Sequence, residues 1–235
     1  MTLDTDQSPH FRLSGDQGLL LELGQNIDLE TNARARTLAD RLEHKPLPGL
    51  IEVIPAYCSV LIIYDPGQTD LEDLKQAVLE HTDQASLTDD ARSGQTVEIP
   101  VCYGGEHGPD IETVARTNGL SVKEVISIHT SCSYPIYMLG FAPGFPYLGG
   151  LDQRLHTPRL ETPRSLVPAG SVGIANAQTG IYPLQSPGGW QLIGRTPLKL
   201  FAPDQDNPVP YYRPGDRLQF VSISEHDFTR LLNHA

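Results

Sequence analysis

The residues best suited to chemistry crowd into one part of the chain. Between Leu151 and Leu200 stand five cations, Arg154, Arg159, Arg164, Arg195 and Lys199, against two anions, Asp152 and Glu161, in a protein whose formal net charge is -12. The guanidinium fork matches carboxylates and phosphates, so a basic island on an acidic protein points to a ligand carrying one or the other. Widened to Tyr137–Leu200, the same stretch holds 10 of the 21 glycines and 8 of the 20 prolines. Phe141, Phe145, Tyr147, Tyr182 and Trp190 sit at its corners. Glycine admits positive φ and proline fixes a corner, so this is a set of shaped loops on short strands. Aromatic faces beside exposed backbone line small-molecule pockets, although turns and packing in a loop-rich β domain use the same residues.

Other chemistries find less support. Gly104-Gly105-Glu106-His107-Gly108 is followed by Pro109-Asp110 where a phosphate-cradling loop needs Lys and Ser or Thr, so it reads as a turn before a helix. The three cysteines, Cys58, Cys102 and Cys132, are odd in number and far apart, which argues against a disulfide framework or a zinc site. His129 closes a helix, where it is a ligand or general base, or else a partner of the terminal carbonyls. The helix, glycine, helix pattern around Gly119 offers one cation, Lys123, beside Glu112 and Glu124, a poor surface for DNA. A pI near 5.0 likewise opposes nucleic acid and anionic membrane. The opening MTLDTDQSPHFRL lacks a basic, then apolar, leader, and no uncharged apolar run of about 18 residues occurs, so a cytoplasmic protein is expected.

These residues need elements to hold them. Two short strands are expected over Phe11–Leu23 around a Gly15-Asp16 turn, then a helix over Thr31–His44 with Ala35, Leu38, Ala39 and Leu42 on one face. Ile51–Ile54 and Ser59–Tyr64 read as strands, and Asp70 caps a helix carrying Leu71, Leu74 and Val78. That order predicts an α+β domain over residues 1–92, with an antiparallel sheet and two helices. Thr82–Gln95 is polar and reads as a linker. Residues 93–235 are then a mainly β domain: a strand at Thr96–Tyr103, a helix capped by Asp110 and stopped at Gly119, and a second helix with a Ser121/Glu124 capping box. Val172–Ala175, Gly180–Leu184, Trp190–Gly194, Leu198–Phe201 and Arg217–Ile223 are its later strands, with a helical turn over Ser224–Leu232. Closely spaced short strands favour a closed barrel, which removes exposed edges.

The segments IPVCYGGEHGPD, LGFAPGFPYLGGL, LHTPR, VPAGSVGIANAQTGIYPL, SPGGWQLIGRTPL and RPGD, spanning about Glu98 to Asp216, resemble the family of 5-oxoprolinase B subunits, KipI-type kinase inhibitors and allophanate hydrolase subunit 1. The resemblance implies an α+β N-terminal domain and a cyclophilin-like C-terminal barrel. It implies two partners, the C subunit of 5-oxoprolinase, which is a homologous barrel protein, and the A subunit of the same enzyme. Together these open 5-oxo-L-proline to L-glutamate with ATP as co-substrate; in this chain no metal-ligand cluster or prosthetic-group motif is evident. Two other roles come with it, inhibition of a sensor histidine kinase and a carboxyltransferase part of a urea carboxylase or allophanate pathway enzyme.

A lactam keeps amide resonance, so its opening gains from phosphorylation of the carbonyl oxygen, and both ends of the substrate are then anionic. On that reading Arg159 and Arg195 are the expected substrate contacts, and His156 is the candidate acid or hydrogen-bond donor, with His129 beside it in the catalytic set. Gln178, Gln185 and the amides of Gly188 and Gly189 would orient a lactam or acyl phosphate. Gly144, Phe145, Pro146 and Tyr147 of the APGFPYLG segment complete the expected lining. Trp190 belongs to it too, read first as a core or rim aromatic. The chain carries no ATP motif and no nucleophile elbow, so it is expected to be inactive alone.

Overall fold

Alternating burial along nearly continuous apolar runs shapes the first sheet. The computed structural model describes residues 9–83, 94–201 and 211–233. In it, β1 (His10–Ser14) and β2 (Gly18–Glu22) form a hairpin whose turn is made at Gly15, φ 70°. β3 (Leu50–Pro55) and β4 (Ser59–Tyr64) complete an antiparallel sheet of order β1-β2-β4-β3. A period of two puts Leu19, Leu21, Val60 and Ile62 on the buried face. Leu38 and Leu42 of α1 (Leu29–His44) and Leu74 and Val78 of α2 (Leu71–Asp83) join them in one core. Each such side chain contributes roughly 1.5–3 kcal/mol by leaving water. Asp28 starts α1, its carboxylate accepting from the Thr31 amide at 2.8 Å.

The chain divides into two compact units, Met1–Gly94 and Gln95–Ala235. The expected linker Thr82–Gln95 lies outside the described residues over 84–93, as does the N-terminal opening through residue 8.

The second unit is a nearly closed mixed barrel. Its parts in chain order are β5 (Thr96–Tyr103), α3 (Ile111–Thr117), α4 (Val122–Ser131), β6 (Ser133–Leu139) and β7 (Pro146–Leu148). There follow β8 (Arg164–Val167), β9 (Ser171–Ala175), β10 (Gln178–Ile181), β11 (Ser186–Gly188), β12 (Gln191–Arg195), β13 (Arg217–Ser222) and α5 (Glu225–Leu232). Seven strands form one sheet in the order β10-β9-β12-β5-β13-β6-β7, with β5 and β13 its parallel pair, while β8 and β11 make a separate hairpin. The first and last strands of the sheet meet: a Cβ on Gly180 of β10 would stand 3.3 Å from the Pro146 carbonyl oxygen of β7. Ile99, Val101, Tyr134, Ile136, Ile174 and Phe220 fill the interior.

Two expectations need correction. Asp110 precedes α3 but makes no side-chain cap bond, because its carboxylate is engaged elsewhere in the barrel. Leu198–Phe201 is not a strand. Pro197 has no amide to donate, and the Leu198 amide is turned onto Thr196 Oγ1 at 3.3 Å. Two expected helix ends are present: Gly119 has φ 66°, and Ser121 and Glu124 form the capping box of α4.

Candidate functional site

The loop between β6 and β7 builds one edge of the candidate site. Gly140 and Ala142 close a γ-turn, with the Ala142 amide donating to the Gly140 carbonyl at 2.7 Å, and Phe141 between them has φ 65°. A positive φ is unfavourable for an aromatic residue, yet Phe141 remains 65% exposed. Gly144 supplies a second positive φ, 77°, and its carbonyl accepts from the buried Tyr212 hydroxyl at 3.0 Å. This turn delivers Phe145 into a small aromatic core. Its ring stands edge-on to Tyr147, Tyr182 and Trp190 at 5.3, 5.4 and 5.6 Å between centroids. Phe145 and Trp190 are buried, as is Pro146, so they form the floor of the region, whereas Tyr147 is half-buried at its side.

Arg159 rises beside that floor. The Leu160 amide donates to the Gly189 carbonyl at 2.8 Å, and Gln191 Nε2 donates to the Pro158 carbonyl at 3.0 Å, so the turn carrying Arg159 is stitched to the segment that starts β12. A bridge between Thr157 and Asn176 holds its other side. Burial pushes the Tyr182 phenol up, and Arg159 and Arg164 lie close enough to oppose that shift. Gly188 packs under the Tyr182 hydroxyl so closely that a Cβ would collide with it. Gln185 is exposed and Gln178, at the start of β10, is half-buried.

The five cations have different fates. Arg154 is paired with Asp152 at 2.7 Å and Arg164 with Asp110 at 2.7 Å. Arg195 gives its Nε to the Ala169 carbonyl at 2.8 Å. Among the described residues, Arg159 and Lys199 are exposed and make no ion pair or side-chain hydrogen bond. The strand register separates the two arginines expected to share a ligand. Arg159 is tied to the Gly189–Gln191 end of β12, and Arg195 is its last residue, opposite Ser171. At about 3.3 Å per residue their anchor points are roughly 13 Å apart along the strand.

The histidines also part. His129 is completely buried on α4. Its ring lies over Phe220 at 4.5 Å and bonds neither terminal carbonyls nor solvent, since Nδ1 faces the Tyr103 hydroxyl at 2.8 Å and Nε2 faces Thr179 Oγ1 at 2.9 Å. Thr179 Oγ1 donates to the Gly173 carbonyl at 3.0 Å, so Nε2 carries the proton and Nδ1 accepts from Tyr103. Burial among neutral groups pulls the His129 pKa down to about 3. His156, half-buried after the short helical turn at Gln153–Leu155, faces the Leu151 carbonyl with Nε2 at 3.4 Å. It is the histidine of the pair that reaches the surface.

The sequence reading missed the clamp behind this rim. Asp110 accepts from Arg164 at Oδ1 and, at 2.6 Å, from the Leu192 amide at Oδ2, while Arg164 also reaches the Trp190 carbonyl at 3.4 Å. One partly buried ion pair thus joins α3, the β8 hairpin and the start of β12. The aspartate of GGEHGPD was the available signal, but helix capping explained it locally. Glycines 104–108 form a turn, with the His107 and Gly108 amides donating to the Gly104 carbonyl at 3.1 and 2.9 Å.

A barrel of this topology with such a rim defines a class. The chain belongs to the family described as carboxyltransferase domain, subdomain C and D, whose model matches residues 9–211. Within it, the chain belongs with the B subunits of 5-oxoprolinase: it is 48% identical over 225 residues to the 5-oxoprolinase B subunit of Bacillus subtilis (strain 168), covering 91% of this chain and 92% of that one. A conserved uncharacterized protein from Pyrococcus horikoshii has a crystal structure 47% identical in sequence, with a TM-score of 0.55, covering 93% of this chain and all 100% of that one. The crystal structure of Kluyveromyces lactis urea amidolyase matches with a TM-score of 0.77 at 21% identity, over 99% of this chain and 16% of that one, and shares the fold alone.

Proposed function

We infer that this protein is the B subunit of an ATP-dependent 5-oxoprolinase, a hydrolase complex that opens 5-oxo-L-proline to L-glutamate. The observation that carries the reading is the 48% identity, over 91% of the chain, to a relative of that name. Under it, Arg159 holds the ring carboxylate, because its guanidinium is free beside an aromatic floor that suits the ring's apolar carbons. His156, half-buried, is the candidate acid or hydrogen-bond donor. The amides of Gly188 and Gly189 and the side chains of Gln178 and Gln185 orient the amide. Arg195, tied to Ala169 at the far end of β12, supports the frame.

ATP is the co-substrate of the assembly. The C and A subunits complete the site, and the complex works in the cytoplasm. No helix among the described residues is long and apolar enough to cross a membrane. The carboxyltransferase reading has the family description behind it but ranks second, because the matching urea amidolyase of Saccharomyces cerevisiae and putative urea carboxylase of Emericella nidulans are 24% and 29% identical against 48% for the 5-oxoprolinase relative.

The test is to co-purify this chain with its two partner subunits and measure phosphate and glutamate released upon adding ATP and 5-oxoproline. Turnover by the assembly and none by the single chain is expected. An assembly that releases neither product, or a single chain that turns over as fast as the assembly, overturns the reading.

A further inference from the structure

Among the described residues, three buried side-chain polar atoms lack a hydrogen-bond partner: Thr37 Oγ1, Ser186 Oγ and Gln191 Oε1. Two of the three fall within the short Ser186–Gln191 segment that forms the rim. Gln191 is 6% exposed, and its amide cannot be reversed to cure the defect, because Nε2 is the atom that donates to the Pro158 carbonyl at 3.0 Å. The oxygen is therefore held by its own amide nitrogen as an unmet acceptor. Buried acceptors in native proteins nearly always find a donor, so an orphan at a rim is explained by a donor that arrives from outside the chain.

We propose that Gln191 is a specificity-determining contact whose Oε1 accepts a hydrogen bond from the ring N–H of a cyclic amide. The inference rests on the proposed function and adds to it the atom that tells a lactam from a ring without N–H. The residues that would work together are adjacent. Pro158, which anchors the Gln191 amide, is followed at once by Arg159, the free cation, so one turn carries the guanidinium for a carboxylate and fixes the amide whose oxygen would accept the N–H. Ser186 Oγ, the second orphan, gives the rim a hydroxyl able to donate or accept. A neutral acceptor suits a neutral N–H, whereas a carboxylate at this depth would demand a counter-ion.

The experiment compares two rings in the assembled complex: 5-oxoproline and its carbocyclic analogue 3-oxocyclopentane-1-carboxylate, which keeps the carboxylate and carbonyl but has CH2 in place of N–H. Binding of each is measured by calorimetry to the parent complex and to Gln191→Met and Gln191→Asn, with thermal unfolding as the check on folding. The parent is expected to prefer the N–H ring by about tenfold or more. Gln191→Met is expected to bind both rings equally, and Gln191→Asn, which keeps a neutral amide acceptor, to retain part of the preference. If Gln191→Met keeps the full preference, or the parent shows none, the inference is overturned and the functional reading stands. If the parent complex binds neither ring, the functional reading falls and the inference with it. If Gln191→Met does not fold, Gln191→Asn decides: a preference retained in whole or part supports the acceptor role, and its loss overturns it.

Discussion

Arg159 and Arg195 look alike in sequence but differ in what holds them, and so should their substitutions. Arg159→Ala removes an unpartnered, exposed charge. The expected result in the assembled complex is a KM for 5-oxoproline raised about tenfold or more, with unfolding unchanged within roughly 0.5 kcal/mol, because such surface positions seldom affect stability. Arg195→Ala removes the bond to the Ala169 carbonyl and should instead lower stability by about 1–2 kcal/mol, seen in urea titration, with little change in KM. His129 makes a third case. Its folded pKa of about 3 lies below the ~6.5 of a free histidine, so above pH ~6.5 both folded and unfolded rings are neutral and the contribution is complete. As pH falls below that, the unfolded chain takes up a proton that the folded ring refuses, and stability drops by about 1 kcal/mol per pH unit until the folded ring titrates. Urea midpoints should therefore fall between pH ~6.5 and ~5, above the range of most carboxylates, and His129→Gln should flatten that slope. A flat parent profile in this window would contradict the burial of a neutral imidazole.

At the scale of elements, the barrel depends on close backbone contacts that only certain residues permit. Gly108 passes against the Ile193 carbonyl of β12, where a Cβ would collide with main chain rather than with a side chain able to move aside. Gly108→Ala should cost about 3 kcal/mol or more, read as a lower denaturation midpoint. The Asp110 and Arg164 pair ties α3 to the β8 hairpin and to β12, with both side chains largely shielded. Asp110→Asn keeps an oxygen for the Leu192 amide but strips the charge facing Arg164. A loss of about 1–3 kcal/mol is expected, and with it a looser Gly188–Trp190 rim that shows as faster hydrogen exchange at Leu192. These ties explain where element-level reading worked and where it stopped. β4 and the capping box of α4 were legible because a short β-branched apolar run and a cap are local signals. Leu198–Phe201 was misread because apolar residues after Pro197 mimic a strand, although among the described residues no strand ladder forms on them. β6 was not anticipated, since Pro135 lies within it and its place between β13 and β7 depends on residues far away in sequence.

The whole molecule has two units, each with a core of its own, Leu19 to Val78 in one and Ile99 to Phe220 in the other. A core of this kind suffices for cooperative folding, so residues 95–235 expressed alone should give a single calorimetric transition. Non-cooperative melting of that fragment would show that its barrel needs the N-terminal unit. What the amino-acid order determined by itself was the class: the periodicities of both units, the glycine and proline corners, the family motifs and the excess of cations over anions between Leu151 and Leu200. Those are properties of short windows, and short windows are set by side-chain pattern and backbone sterics. Only the tertiary structure decided which cations remain free, that Arg159 and Arg195 are anchored at opposite ends of β12, that His129 is sealed in the barrel, and that Gln191 is left with an unmet acceptor. Each of these depends on which distant residue fills a partner's valence, and that is fixed by the register of strands brought together across the barrel, which no local window contains.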